Sequence, residues 1–193
     1  MKKLDYKIVD NTRIYGLKNS VIASGYPMTD CINPAKDKIT PADRKRAKKL
    51  GGAKIGSGHD CYLKGIVVQC DLTLSEKAWP ELQRYHFIDI VSSMSTMHML
   101  PCMDVHFVGP TDRVIGKRFL QLVEDYNKAP SEEKWLRMIY SYPSGLLLTA
   151  RITTNYLQLK TIYAQRKAHR LPEWHAVCDW IESLPYAKEL GVV

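Results

Sequence analysis

The sequence predicts a single-domain α+β fold in which an antiparallel sheet packs against helices. Three observations point there. Residues 66–74 alternate: Ile66, Val68, Cys70, Leu72 and Leu74 make one apolar face, and Gln69, Asp71 and Thr73 make the other, which is the pattern of a half-buried strand. Residues 146–152 alternate in the same way and run into a helix start at Thr153-Thr154-Asn155. Helical spacing fills most of the second half, and this mixture favours antiparallel pairing over a doubly wound sheet. The chain of 193 residues is long enough for one core and has no internal repeat, low-complexity tract or linker.

Taken in order, residues 6–15 are rich in β-branched and aromatic side chains and predict a strand, with a turn at Asp10-Asn11. Residues 19–25 read as a short capped helix closed by Gly25, and 26–40 as a loop. Residues 41–50 predict a helix with Thr40 as its cap, Pro41 at its first position and Gly51-Gly52 at its end. That helix carries five basic residues in six positions, either a solvated face or a seat for a phosphate-rich partner. Gly56-Ser57-Gly58-His59-Asp60 is a glycine-flanked turn without the spacing of a dinucleotide fingerprint. The Trp79-Pro80 pair predicts a helix over 80–90, with Leu82, His86 and Ile90 on one stripe. Residues 101–110 read as irregular, or as a short strand around 105–108. Residues 112–128 follow as a helix with Ile115, Phe119, Leu122, Val123 and Tyr126 at helical spacing. Ser131 caps a helix over 132–140, Asn155 opens one reaching about 169, and Pro172 opens a last one with Trp174, Val177, Cys178 and Ile181 buried.

The formal net charge of +8 favours anionic partners such as nucleotides; nucleic acid fits the charge, but no motif supports it. No apolar run approaches the roughly 18 residues that span a bilayer, and Leu4-Asp5-Tyr6-Lys7 breaks any signal-peptide core, so a cytoplasmic protein is expected. The five cysteines, Cys31, Cys61, Cys70, Cys102 and Cys178, form no Cys-x-x-Cys, so reduced and mostly buried thiols are expected rather than a disulfide framework. Cys102 and His106 lack the second pair that a zinc site needs. Residues 84–98 are too apolar for a surface loop and too rich in polar groups for a plain core segment. Arg84, His86, Ser92, Ser93, Ser95 and His98, gathered together, suit either a locally satisfied buried helix or a polar ligand.

An ordered set of these residues resembles the flavin-dependent thymidylate synthases, the ThyX family. Gly58-His59-Asp60 is similar to the family's Gly-His-Glu turn. Arg84 stands at the first arginine of its Arg-His-Arg-x-x-Ser-x-Asn-Glu-x-Ser-x-Arg-Tyr signature, and Ser95 at the later serine. Asn155 and Arg166 fit the asparagine that opens a late helix and the arginine three turns on, and residues 168–174 resemble the His-Ala-Gln-Trp-Glu segment. Within the signature, Tyr85 and His86 replace histidine and arginine. With one residue inserted, Ser92 and Ser93 replace asparagine and glutamate, and Met97 and His98 replace the last arginine and tyrosine.

The resemblance implies a ThyX-like fold in one domain and a homotetramer with FAD and an anionic nucleotide such as dUMP at subunit interfaces. His59, Arg84, His86 and Asn155 would face the flavin; Ser93, Ser95 and Arg166 would face the nucleotide. NADPH and methylene-tetrahydrofolate enter only where the methyl-transfer activity is kept. Exchanging arginine for Met97 removes a rigid fork of five donors, so that activity is expected to be weak or absent. The alternative is a non-catalytic ThyX-like binding protein; small size, basic surface and an eroded signature suit a phage or mobile-element origin.

Overall fold

Alternating apolar side chains on two long strands set the architecture. In the computed structural model, which describes residues 4–193, β1 (Val9–Tyr15), β2 (Val67–Ser75), β3 (Asp89–Ser93) and β4 (Leu147–Asn155) form one antiparallel sheet in the order β1-β2-β4-β3. The central pair is in register: Val68 faces Thr154, Cys70 faces Ile152, Leu72 faces Ala150 and Leu74 faces Leu148, and all eight are buried. A slip by one residue would turn this whole set to the other face, so the apolar pattern fixes the register. The other face is a polar ladder. Gln69 donates to Thr153 at 3.1 Å, and Thr73 meets Thr149 at 2.7 Å. Arg151 grips Asp71 with Nε at 2.7 Å and Nη2 at 2.9 Å.

Around the sheet lie α1 (Leu17–Ala23), α2 (Pro41–Gly51), the one-turn α3 (Trp79–Leu82) and α4 (Thr96–Met99), α5 (Arg113–Lys128), α6 (Glu132–Ile139), α7 (Tyr156–Arg166) and α8 (Pro172–Ser183). Thr40 and Asp43 form a capping box on α2, with Pro41 in its first turn and Gly52 at its end, as the sequence predicts. Asn155 caps α7 by accepting from Gln158 N at 2.9 Å. The buried stripe of α8 contains Trp174, Val177, Cys178 and Ile181.

Four expectations need correction. Residues 80–90 do not form one helix: α3 stops at Leu82, and by Asp89 the chain is extended and paired with β4. Asp89, Ile90, Ser92 and Ser93 find partners for their backbone groups in that distant strand, and tertiary pairing overrides the local helical spacing. The stripe of Leu82, His86 and Ile90 dissolves, leaving Leu82 buried and the other two exposed. The turn at Asp10-Asn11 is a bulge inside β1, with Asn11 at φ 49° and its amide donating to Asp71 at 2.6 Å. Only Cys70 and Cys178 are buried; Cys31, Cys61 and Cys102 are exposed.

Candidate functional site

Helix α7 organises the site, because three of its side chains each reach a different segment and Asn155 caps its start. One turn on, buried Gln158 accepts from Phe87 N at 3.3 Å, while Thr154 just ahead of the helix donates to Phe87 O at 2.8 Å. These bonds pin the loop that carries Arg84 and His86. Next, Lys160 is buried and places all three ammonium protons: on Gly51 O at 2.6 Å, Ala53 O at 2.8 Å and Asp60 Oδ2 at 2.7 Å. It neutralises Asp60 and collects carbonyls at the end of α2, where the helix dipole is negative. Asp60 is thereby fixed, and with it the turn that presents exposed His59.

The third side chain is Arg166. Its Nη1 donates to Glu81 at 2.9 Å and its Nε to Tyr85 Oη at 2.8 Å, and its guanidinium lies 4.4 Å from the Trp174 ring centre. Glu81 also accepts from Trp174 Nε1 at 2.9 Å. His169 Nδ1 accepts from Leu171 N at 3.2 Å, and its Nε2 lies 3.4 Å from the Glu81 carboxylate. Arg166 is 15% exposed, and its Nη2 has no partner among the described residues. This knot joins α3, α7 and α8 and sits beside Arg84, the next residue to Tyr85. Neighbouring Glu173 is buried and accepts from Ser75 N at 2.8 Å, closing the end of β2.

Beside the knot, α3, β3 and β4 enclose a cavity of about 330 Å³ lined by Trp79, Gln83, Ser93, Ser95 and Thr149 among others. The structure therefore brings Ser93 and Ser95 into one cavity. Arg84 and His86 lie on the exposed turn beyond its Gln83 wall; His59, Asn155 and Arg166 do not line it. Sequence reasoning missed Glu81, Tyr85, Gln158, Lys160 and Trp174 as the side chains that hold these segments. One signal for Lys160 was legible: a lysine between Leu159 and Ile162, on the inward side of a helix.

Strand β3 is exposed along its whole length. Phe87 at 57% and Val91 at 59% exposure, with Ile90, Met94 and Met97, make an apolar rim on a sheet edge. Exposed apolar groups along an edge strand are the kind of surface that proteins commonly cover by association.

The arrangement as a whole has counterparts among solved structures. A flavin-dependent thymidylate synthase ThyX from Helicobacter pylori, complexed with FAD and dUMP, aligns over 96% of this chain and 97% of its own, with a TM-score of 0.73 at 15% identity. The chain has the ThyX fold. A second Helicobacter pylori ThyX structure with FAD and dUMP aligns over 97% of both chains, with a TM-score of 0.71 at 14% identity. No protein-family model matches the sequence, and no curated protein matches it. No helix among the described residues is long and apolar enough to cross a membrane.

Proposed function

We propose that this chain is a divergent ThyX-like flavoprotein that binds FAD and a pyrimidine nucleotide such as dUMP at interfaces of a homotetramer. The observation that carries this reading is the likeness of the entire fold to a ThyX structure complexed with FAD and dUMP. The exposed apolar rim of β3 supports assembly, since it lies next to Arg84, His86 and the cavity of Ser93 and Ser95. His59, Arg84 and His86 are exposed cations or potential cations with no hydrogen-bonded partner among the described residues, as a phosphate-bearing cofactor requires. Asn155 would meet the flavin from its place as the cap of α7, and Arg166 would offer the nucleotide its Nη2, which has no hydrogen-bonded partner among the described residues. Bound flavin would supply the hydride chemistry, while these residues orient and hold. Methyl transfer is weak or absent, because His86, Ser93 and Met97 do not replace the charge-assisted contacts of the signature. NADPH and methylene-tetrahydrofolate matter only to residual activity.

A specific observation favours a second reading, a binding protein without catalysis. Asp60 and Arg166, two of the charged residues at matching positions, are already closed in internal ion pairs. Titrating the purified chain with FAD and then dUMP decides between them. Bound yellow flavin that reports dUMP addition, with Arg84→Ala weakening FAD binding about ten- to a hundredfold, supports the flavoprotein. A chain that takes up no FAD but binds dUMP leaves the non-catalytic reading. A monomer in light scattering removes the interface site from both.

A further inference from the structure

On the flank formed by α1, α2 and the C-terminal turn lies a second cavity of about 330 Å³. Its walls are apolar: Leu17 and Val21 from α1, Ile39 and Leu190. Its rim is cationic: Arg44, Lys45 and Lys48 project from α2, against one carboxylate, Glu189. None of the three cations has an ion pair among the described residues, whereas Arg46 and Lys36 are both spent on buried Asp43. Arg44 and Lys48 stand four apart on one helix, where like charges oppose helix formation. The cavity is built by close backbone contact. A Cβ on Gly51 would meet Leu190 O at 1.9 Å, and Gly191 turns at φ 66°, so only glycines let the C-terminal turn sit this close to α2. The far wall is Tyr186, held at φ 60° with its ring under Arg44 at 5.7 Å. Tyr156 Oη fixes the preceding Pro185 O at 2.7 Å.

We propose that this cavity binds a small anionic amphiphile, an aliphatic oxyanion whose tail lies against Leu17, Val21 and Leu190 and whose head meets Arg44, Lys45 and Lys48. Volume and chemistry select this occupant. The cavity falls at the lower end of the roughly 300–1,000 Å³ range of small-molecule sites, and it combines an apolar body with a few convergent polar groups. An extended polyanion needs a track of cations over a surface, not three cations around an apolar hollow. The site shares no lining residue with the cavity of Ser93 and Ser95, so it stands independently of flavin binding.

The test is calorimetric titration of the full chain with decanoate below its micellar range, and with decanol as the uncharged match. Decanoate is expected to bind one to one, and decanol at least tenfold more weakly. The double change Lys45→Glu with Lys48→Glu should lose at least tenfold in decanoate affinity. Val21→Trp should abolish binding by filling the cavity, and Lys117→Ala on α5 should bind as the unchanged chain does. Circular dichroism checks that each variant is folded; should Val21→Trp fail to fold, the double charge change still decides. No decanoate binding, several equal sites, equal affinity for decanol, or an unaffected double variant overturns the proposal.

Discussion

Changing Arg166 to alanine should destabilise the fold itself, before any ligand is considered. Its side chain is 15% exposed and that of Glu81 22%, so water screens their pairing only in part. Removing one partner of a buried pair costs about 3–5 kcal/mol, and the residual exposure lowers that to about 2–4 kcal/mol. Glu81 would keep only Trp174 Nε1 and the longer contact to His169. Arg166→Lys keeps the charge but loses the donor to Tyr85 and the planar stacking on Trp174, about 1–2 kcal/mol together. For a chain of this length each kcal/mol moves the melting temperature by about 2–4 °C, so Arg166→Ala should melt about 4–16 °C lower. Combining it with Glu81→Gln removes the orphaned carboxylate and should recover part of the loss. Scanning calorimetry of the ligand-free proteins measures all three. An Arg166→Ala protein melting within about 1 °C of the unchanged chain would refute the knot and return Arg166 to the status of an open, ligand-facing arginine.

Three further outcomes follow from particular contacts. Lys160→Met should lower the melting temperature by about 6–20 °C, because it strands buried Asp60 and two carbonyls at a cost of about 3–5 kcal/mol, with a thermal melt as the check. Burial opposes ionisation of Asp43, but hydrogen bonds from Lys36, from the Thr40 backbone and hydroxyl, and from Arg46 outweigh it and hold the carboxyl well below the usual range. Its stabilisation is therefore full above the unfolded value of about 4 and is lost as pH falls below it. The melting gap between the unchanged chain and Asp43→Asn should be constant above about pH 5 and close under acid. Burial above all, with nearby acidic groups, pushes the Cys70 thiol up to about 12 and the Cys178 thiol up to about 11. A thiol reagent at neutral pH should then titrate Cys31, Cys61 and Cys102 alone, and reach the other two only after unfolding.

What the sequence made legible was whatever is decided locally. Strands β2 and β4 announce themselves by alternation, and α2 by Thr40, Pro41 and its closing glycines. Asn155 announces α7 by its cap chemistry. Residues 80–90 were misread because Pro80 and the apolar spacing are local, while the strand character of 89–93 is set by Arg151, Ile152 and Thr153, some sixty residues away. The cysteines were misread for a related reason. Composition gives the average burial of a thiol, but Cys31 sits in a loop and Cys61 opens a 3₁₀ turn, where exposure depends on packing, not on type. The site was legible in part: Ser93 and Ser95 do share a cavity, but the side chains that fix the neighbouring segments, Gln158 at Phe87, Lys160 at the His59 turn and Glu81 in the Arg166 knot, carry no motif.

That division explains how this chain can share its fold with a ThyX structure, at a TM-score of 0.73, with only 15% identity. The contacts that position the signature segment come from outside its altered positions. Gln158 and Thr154 hold the backbone of Phe87, β4 holds the backbone of β3, and Arg166 holds Glu81 and Tyr85. By contrast, Arg84, His86, Ser93, Met97 and His98 are all exposed in the chain. Exposed substitutions away from caps and buried pairs change stability by only about half a kcal/mol, so these positions can drift without endangering the sheet. Tyr85 differs from the other altered positions, because its hydroxyl accepts from Arg166 and its ring packs edge-on to Trp174 at 6.3 Å. Tyr85, where the family signature has histidine, is therefore part of the internal packing of this chain, while His86, Ser93 and Met97 are exposed and could differ from that signature without disturbing the scaffold.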